Sequence, residues 1–365
     1  MMARWCAVPA LLALAACPGT TSTVVRLGPP DDGGGTAPTA RAIVTEQRTI
    51  TVAIKDGVTA TLGAALTRPT DGSGPAILIV PGGGDVSRKG TRPGDGVDVY
   101  RAPVDVSTAW ADALARRGAL VLTWDKRTCG PNDDPLCTKN PQDDVDEHGP
   151  TALAKDIDAA CALVRQEPSF DGRVVVFAHG QAGQVALSST CAKDAAVVVL
   201  VAPIPRGIDE VIVAGIKDRA HRVEKVASRE QDAAAKEALL DKAGQLTNLA
   251  STRAAEFASM KAGRFAPTAR VGGATLAFWK GWIELTGKTA ALIDAAPAKK
   301  LVVLGADDQQ YGEKDRVRIK ALAPDAYLEV KGADHHLLSN GRLAAETVDL
   351  IGAALDAALA PPPTG

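Results

Sequence analysis

The sequence carries almost no excess of either charge. Its 365 residues include 41 Lys and Arg against 43 Asp and Glu, for a formal net charge of −2. This balance gives no electrostatic reason to expect binding to nucleic acid or to an anionic membrane surface, so we predict no nucleic-acid partner. With 46% hydrophobic residues the chain can bury a full core, and its length suits one domain of about 250 residues with an insertion.

Apolar runs long enough to span a bilayer are absent. The N-terminal stretch MMARWCAVPALLALAAC has one Arg, a short apolar run and small residues at its end, which is typical of a secretory signal. Its last residues, Leu14 to Cys17, resemble the lipobox of bacterial lipoproteins. The resemblance implies a signal peptide over residues 1–16 and acylation of Cys17, so the expected anchor in the bilayer is lipid alone. An ordinary signal peptide is the alternative. Pro18 in place of an aspartate favours the outer membrane.

The segment after the expected cleavage site has few large apolar side chains. Residues 17–44 are rich in Gly, Pro, Thr and Ser. Such a segment cannot bury enough surface to offset the entropy lost on ordering, so we predict a flexible tether.

Cysteine is scarce, and no CxxC spacing occurs. An exported chain would keep Cys129, Cys137, Cys161 and Cys191 in an oxidising compartment, which favours disulfides over a metal site. Three pairings are possible. We favour Cys129 with Cys137, which would close a short polar loop, and Cys161 with Cys191, which would join two neighbouring helical segments.

From residue 49 onwards strand patterns and helix patterns alternate. TITVAI and TATLGAALTRP flank a KDG turn and predict a hairpin. Six wholly apolar strand patterns follow, separated by amphipathic helices, from AILIVPGGG to AYLEVKGADHH, and a last helix covers RLAAETVDLIGAALDAALA. This order predicts an α/β fold with a mostly parallel eight-stranded sheet and helices on both faces. Ligands of such sheets bind at the carboxyl ends of the strands.

Six stretches carry a resemblance to the α/β-hydrolase fold and, within it, to bacterial carboxylesterases related to serine aminopeptidases. They are PGGGDVSRKG, WADALARRGALVLTWDKRTCG, VVVFAHGQAG, FWKGWIEL, LVVLGADDQQ and VKGADHHLL, in the order of the family. The resemblance implies a hydrolase core over residues 45–204 and 298–360. It also implies a helical cap over residues 205–297, whose composition favours helices.

The same resemblance supplies two members of a catalytic triad. Asp308 matches the acid of the family, and His335 matches its general base. A carboxylate that accepts the imidazole N–H fixes the tautomer of the base and stabilises the cation formed during proton transfer.

The serine of the GxSxG nucleophile elbow is missing, and Gly180 stands in its place. Losing a triad nucleophile lowers the rate roughly 10⁶-fold, which corresponds to a barrier higher by about 8 kcal/mol. The remaining site still accelerates the reaction by roughly 10³ to 10⁴ relative to water. A displaced nucleophile, Ser87 or Cys129, is one alternative. Another is a water molecule activated by His335 in the space left by the serine side chain. Ser188 and Ser189 lie too far along the helix, about 12 Å from the elbow.

The glycine run after AILIVP contains neither GxxxxGK[ST] nor GxGxxG, so we predict no nucleotide cofactor. By resemblance Gly82, Gly83 and Gly84 form an oxyanion loop, and Gln181 supplies the second backbone N–H. These donors survive the loss of the serine side chain. A pocket for a carbonyl or carboxylate oxygen can therefore persist without turnover.

Other candidate residues carry simpler interpretations. By the same resemblance we expect His179 to point away from the site and to pack, and we expect His336 to be an exposed or gating neighbour of the base. Adjacent histidines point in opposite directions, so we predict no metal site at His335. The aromatic residues Phe278, Trp279 and Trp282 can pack in the core or line an acyl pocket.

Together these features predict an exported, lipid-anchored hydrolase-fold protein that is impaired as a serine hydrolase. Its expected partner besides the bilayer is a small acyl or ester ligand, with at most weak hydrolysis through His335 and Asp308. The alternatives are a noncatalytic envelope protein that binds a partner through the cap and an active esterase or peptidase with a displaced nucleophile.

Overall fold

The structure is a computed structural model that describes residues 23–26, 41–55, 58–84, 86–92, 103–129 and 149–360. Its strands, in chain order, are β1 (Thr23–Arg26), β2 (Ile43–Lys55), β3 (Val58–Pro69), β4 (Gly74–Val80), β5 (Thr91–Arg92), β6 (Val104–Asp105), β7 (Leu120–Trp124), β8 (Phe170–His179), β9 (Val197–Val201), β10 (Arg270–Val271), β11 (Ala274–Thr275), β12 (Lys299–Gly305) and β13 (Tyr327–Val330). Its helices are α1 (Val106–Arg116), α2 (Pro150–Val164), α3 (Ala182–Ser188), α4 (Thr190–Asp194), α5 (Ile208–Ala227), α6 (Ala233–Lys261), α7 (Leu276–Gly287), α8 (Thr289–Ala295), α9 (Glu313–Leu322) and α10 (Ala345–Leu359).

One large sheet organises the described residues. Its strand order is β1-β2-β3-β7-β4-β8-β9-β12-β13, parallel from β7 to β13 and antiparallel at the β1–β3 edge. The eight predicted strands are confirmed as the eight from β2 to β13 in this order. A ninth strand, β1, lies inside the segment for which the sequence predicted a flexible tether. Its β-branched residues pair with the outer edge of β2.

The central strands are apolar because helices cover them from both sides. Every residue of β7 and β9 is buried, and all of β4 except Pro75 is buried. The chain leaves β4 through α1 to reach β7 on one side, then returns through α2 to β8 on the other. Since parallel crossovers are right-handed, α1 and α2 lie on opposite faces of the sheet.

The helices α5 to α8 lie between β9 and β12, where the sequence predicted a helical cap. The long helices α5 and α6 contact each other, and α6 is rich in Ala. A small apolar cluster joins α6 to the β10–β11 turn and α7, built from Phe257, Met260, Val271 and Leu276. Trp279 packs on this cluster and donates from its ring N–H to the carbonyl of Val271 at 2.7 Å.

The helix after the elbow, predicted to carry both Ser188 and Ser189, ends earlier than expected. Helix α3 ends at Ser188, and Ser189 is extended with φ −76° and ψ 155°. The Ser189 hydroxyl donates to the carbonyl of Ala186 and accepts the N–H of Ala192, so it caps α4.

The predicted disulfide between Cys161 and Cys191 is confirmed. It joins α2 to α4 with a Cα–Cα distance of 6.1 Å, inside the usual range. Cys129 is also disulfide-bonded. Cys137, its predicted partner, lies outside the described residues, as do the predicted signal peptide and Cys17. None of the described helices combines the length and the apolarity needed to cross a membrane.

Candidate active site

The predicted site residues lie on loops at the carboxyl ends of four parallel strands. The glycine run follows β4, Gly180 follows β8, Asp308 follows β12 and His335 follows β13. From β4 the chain moves to β7 on one side, and from β7 it crosses back to β8 on the other side of β4. The crevice between β4 and β8 is therefore the switch point where α/β sheets bind their ligands.

A hydrogen bond joins the predicted acid to the predicted base. His335 Nδ1–H donates to Asp308 Oδ2 at 2.8 Å, and the Asp308 side chain is fully buried. The second carboxylate oxygen accepts the N–H of Gln310 at 2.7 Å. Burial alone would raise the pKa of Asp308, but the charge and hydrogen bond of His335 outweigh it and hold that pKa below its usual value. The acid therefore stays ionised, and Nε2 is the ring nitrogen left for proton transfer.

The loop that carries the base is fixed from several sides. His179 Nε2–H donates to the carbonyl of His335 at 2.9 Å. Asp334 Oδ1 accepts the N–H groups of His336 and Leu338 at 2.8 and 2.9 Å. Leu337 is fully buried in the left-handed region with φ 61°, a conformation that a non-glycine residue keeps only where its surroundings enforce it.

Three imidazole rings meet at the site. The ring of His179 lies 4.6 Å from that of His335 and 4.7 Å from that of His336, between centroids. Desolvation, followed by the nearby charge of His335, lowers the pKa of His179 from 6.5 to about 3. Burial likewise holds the pKa of His336 well below its usual value. Both rings are therefore neutral near pH 7. The expectation that His179 points away from the site is wrong, because its ring contacts those of His335 and His336, and His336 is only partly exposed.

The elbow keeps its turn without a side chain. Gly180 has φ +58°, and its N–H donates to the carbonyl of Val201 at 2.8 Å. A Cβ added at Gly180 would meet no heavy atom within 4 Å. The strand-turn-helix geometry of a nucleophile elbow is thus present, with open space where its side chain would lie.

Lys126, a residue not predicted from the sequence, holds the glycine loop. Its Nζ donates to the carbonyls of Gly82 and Gly84 at 2.7 and 2.9 Å. Because C=O and N–H point in opposite directions across a trans peptide, the Gly83 N–H faces away from Lys126. A Cβ at Gly83 would meet the Gln181 side chain at 3.5 Å, so this side chain lies against the glycine loop. The available signal was a lysine two residues after the wholly buried strand β7.

Two partly open clefts flank these donors. The first is narrow, with a cavity volume of only about 10 Å³, and lies between the sheet, α2, α3 and α7. It is lined by Val80, Pro81, Trp124, Lys126, Leu153, Asp156, Ile157, Gln181, Ala182, Val185 and Trp282. The second has a cavity volume of about 40 Å³ and lies on the other side of Gly82, and its lining includes Arg92, Ser107, His179 and His336. Of the three cap aromatics, Trp282 therefore reaches a cleft beside the site, while Trp279 packs within the cap.

The surroundings of each residue that could replace the missing nucleophile are defined in the structure. The hydroxyls of Ser188 and Ser189 donate to carbonyls one turn back in α3. Cys129 is oxidised in a disulfide, so it presents no thiolate. Ser87 is 5% exposed, and its hydroxyl has no hydrogen-bond partner among the described residues. Within the same residues, no group of three or more His, Cys, Asp or Glu is placed to hold a metal ion.

An elbow turn, a buried acid and a histidine on loops after successive parallel strands define a site of the hydrolase class. A sequence model of the alpha/beta hydrolase family matches residues 77–349, and the chain therefore belongs to the alpha/beta hydrolase family.

Solved structures with similar folds include several esterases. DcsB in complex with its substrate analogue has 17% identity and a TM-score of 0.51, and the match covers 86% of this chain and 100% of DcsB. Est1E from Butyrivibrio proteoclasticus has 13% identity and a TM-score of 0.47, over 84% of this chain and 99% of Est1E. A thermophilic esterase from Thermogutta terrifontis has 17% identity and a TM-score of 0.48, over 86% and 99%. No curated protein matches the chain.

Proposed function

We propose that this protein recognises acyl or ester ligands on a carboxylesterase-type scaffold and hydrolyses them weakly at most. One observation carries the proposal: the hydrogen bond between His335 and Asp308 is intact beside the open turn at Gly180. The acid, the base and the backbone donors of a hydrolase are present together, whereas a side chain able to form an acyl intermediate is absent at the elbow.

Residual hydrolysis would use water in place of serine. His335 Nε2 takes a proton from a water molecule near Gly180 while the water oxygen attacks the ester carbonyl. The N–H groups of Gly83 and Gln181 stabilise the oxyanion that forms. When the intermediate collapses, the C–O bond to the alcohol breaks and His335 returns its proton to the leaving oxygen. A site without its nucleophile still accelerates hydrolysis by roughly 10³ to 10⁴ relative to the reaction in water.

Two assays on the wild-type protein and His335→Ala test the proposal. A p-nitrophenyl butyrate assay should give slow hydrolysis at most, and any such hydrolysis should disappear in His335→Ala. A fluorophosphonate probe should leave the wild type unlabelled. Butyrate esters should nevertheless raise the melting temperature. Covalent labelling would instead support a displaced nucleophile. The absence of hydrolysis, of labelling and of any shift in melting temperature would favour a noncatalytic envelope role for the cap.

We also propose that the chain is exported and anchored in the outer membrane by lipid on Cys17. The proposal rests on the lipobox-like sequence at Leu14 to Cys17 and on the short apolar run before it. Metabolic labelling with palmitate in a bacterial host should label the wild type and not Cys17→Ser. Equal labelling of both proteins would contradict it.

A further inference from the structure

His179 lies where three loops of the candidate site meet. It is the last residue of β8, directly before the turn at Gly180. Its ring lies 4.6 Å from the ring of His335, between centroids. A Cβ added at Gly82 would lie 3.0 Å from His179 Nδ1 and 3.4 Å from the His179 carbonyl oxygen, so this glycine lies close against His179. One residue therefore adjoins the elbow, the glycine loop and the base.

The sheet fixes the backbone of His179 relative to the elbow. Strands β8 and β9 pair in parallel, with His179 opposite Val201. The following N–H, that of Gly180, donates to the carbonyl of Val201 at 2.8 Å. A shift of His179 relative to the elbow would break hydrogen bonds beside the wholly buried strand β9, and buried backbone groups are costly to leave unpaired. The ring of His179 is thus carried by a rigid part of the fold.

The peptide that follows His335 is held at both of its polar groups. Its C=O accepts His179 Nε2–H at 2.9 Å, and its N–H, which belongs to His336, donates to Asp334 Oδ1 at 2.8 Å. A carbonyl oxygen can only accept, so the proton of the neutral His179 ring is on Nε2. Asp334 belongs to the same loop as His335, whereas His179 belongs to the sheet. Of these two bonds, the one from His179 fixes the base relative to the elbow.

Asp308 fixes the ring of the base at a different point. Its carboxylate accepts Nδ1–H of His335, which sets the tautomer and the ring plane. A ring held only at Nδ1 can still pivot about that bond when its loop moves. The two bonds, one on the ring and one on the main chain, together determine where Nε2 lies. Placement of this kind matters, because a misplacement of about 1 Å can cost about a hundredfold in rate.

We propose that His179 is a positioning residue, which sets the base His335 in register with the elbow at Gly180 through the bond from Nε2–H to the His335 carbonyl. His179 acts through His335 and touches no reacting atom. The inference rests on the proposed function, because it gives His179 a role in the same site.

Three substitutions at His179 separate its hydrogen bond from its ring. His179→Gln keeps a donor, because its amide nitrogen is as many bonds beyond Cβ as imidazole Nε2. His179→Asn has its amide nitrogen one bond closer to the backbone and falls short of the carbonyl. His179→Phe keeps a ring and has no donor. His221→Gln, which changes an exposed histidine on α5, is the matched control.

Proton NMR of the full-length protein gives a readout that does not depend on activity. The Nδ1–H of His335 should give a downfield resonance, because the buried Asp308 carboxylate binds this proton and slows its exchange. Loss of the signal in His335→Gln assigns it. The resonance should persist in His179→Gln and His221→Gln. It should broaden or vanish in His179→Asn and His179→Phe, since a base loop released from the sheet opens to solvent more often.

The Gly180→Ser background tests the effect on catalysis. In this background His179→Asn and His179→Phe should each lower kcat for p-nitrophenyl butyrate by about a hundredfold, because the base is misplaced. KM should change little, since no contact with the ester is removed. His179→Gln should recover most of the lost kcat, and His221→Gln should match the parent.

Two results would overturn the inference and leave the proposed function standing. One is a resonance and a kcat in His179→Asn equal to those of the parent. The other is an equal loss in His179→Gln and His179→Asn, which would show that the donor is not what matters. If circular dichroism shows that His179→Asn is unfolded, His179→Phe takes its place in both comparisons. A Gly180→Ser parent that neither hydrolyses the ester nor reacts with a fluorophosphonate would count against the proposed function, and the resonance would then decide the inference alone.

Discussion

At residue 180 the backbone already has the conformation that a nucleophile elbow imposes on its serine. We predict that Gly180→Ser raises p-nitrophenyl butyrate hydrolysis at least about a hundredfold, since a nucleophile would then lie beside an intact acid and base. A φ of +58° makes any L side chain strained by roughly 1–2 kcal/mol, so the melting temperature should fall slightly. Steady-state kinetics and fluorophosphonate labelling measure the outcome.

Gly180→Ala is the matched control for this gain, because it carries the same strain without a hydroxyl. It should stay inactive and unlabelled. A folded Gly180→Ser protein that neither turns over the ester nor reacts with the probe would show that the base and the backbone donors are out of register with the elbow.

The glycine loop after β4 depends on one lysine at the end of β7. We predict that Lys126→Met lowers the free energy of unfolding by about 1–3 kcal/mol, because the carbonyls of Gly82 and Gly84 lose their donor. In the Gly180→Ser background it should also lower kcat by about a hundredfold with a smaller change in KM, since the oxyanion donors act in the transition state.

Lys126→Arg, measured in the same Gly180→Ser background, tests whether kcat depends on the exact position of the donor or only on its charge. The guanidinium keeps the positive charge and can donate to both carbonyls, so it should recover part of the kcat that Lys126→Met loses. An unchanged kcat in Lys126→Met would contradict a positioning role for this residue. Urea unfolding and steady-state kinetics are the two measurements.

The helical layer next to the elbow is tied together by the disulfide between Cys161 and Cys191. The two cysteines are 30 residues apart, so loop-closure entropy predicts a stabilisation of about 3–4 kcal/mol. The double variant Cys161→Ala, Cys191→Ala should unfold at correspondingly lower urea concentration. Reduced wild-type protein is the control, and equal stability of the oxidised wild type and the double variant would be the contrary result.

Elements with strong local patterns were predictable from sequence, and those fixed by distant contacts were not. Continuous apolar runs predict the six parallel strands of the large sheet, alternating patterns around the KDG turn predict the hairpin of β2 and β3, and amphipathic spacing predicts α1 and α2. The break at Ser189 was missed because a serine that caps α4 also fits a continuing helix. The strand β1 was missed because four residues leave too short a pattern among the Gly and Pro of its neighbours.

For the whole molecule, stability should fall steeply in acid. His179 has a pKa near 3 in the folded chain and near 6.5 when unfolded, so between these values the unfolded state binds more protons. Its contribution is fully present above about pH 6.5 and is lost as the pH falls, by at most about 1.4 kcal/mol per pH unit. Urea unfolding of wild type and His179→Gln across this range should show a shallower acid limb in the variant. Parallel curves would contradict this assignment.

At the scale of the whole fold, the sequence indicated which loops meet but not how they are held. Strand order alone brings the glycine loop, the elbow, Asp308 and His335 to one edge of the sheet. The bonds from Lys126 to Gly82 and from His179 to His335 span 44 and 156 residues, and no local pattern encodes such pairs. They follow from packing once the sheet has formed.

The bond between the His179 ring and the His335 carbonyl has a mechanical consequence. It links the last residue of β8 to the loop after β13, a strand three positions away in the sheet. Because this bond must break before either segment moves outward alone, the two segments should open together. Amide hydrogens in both should then exchange with solvent at a common rate, and filling the cleft should slow the exchange of both.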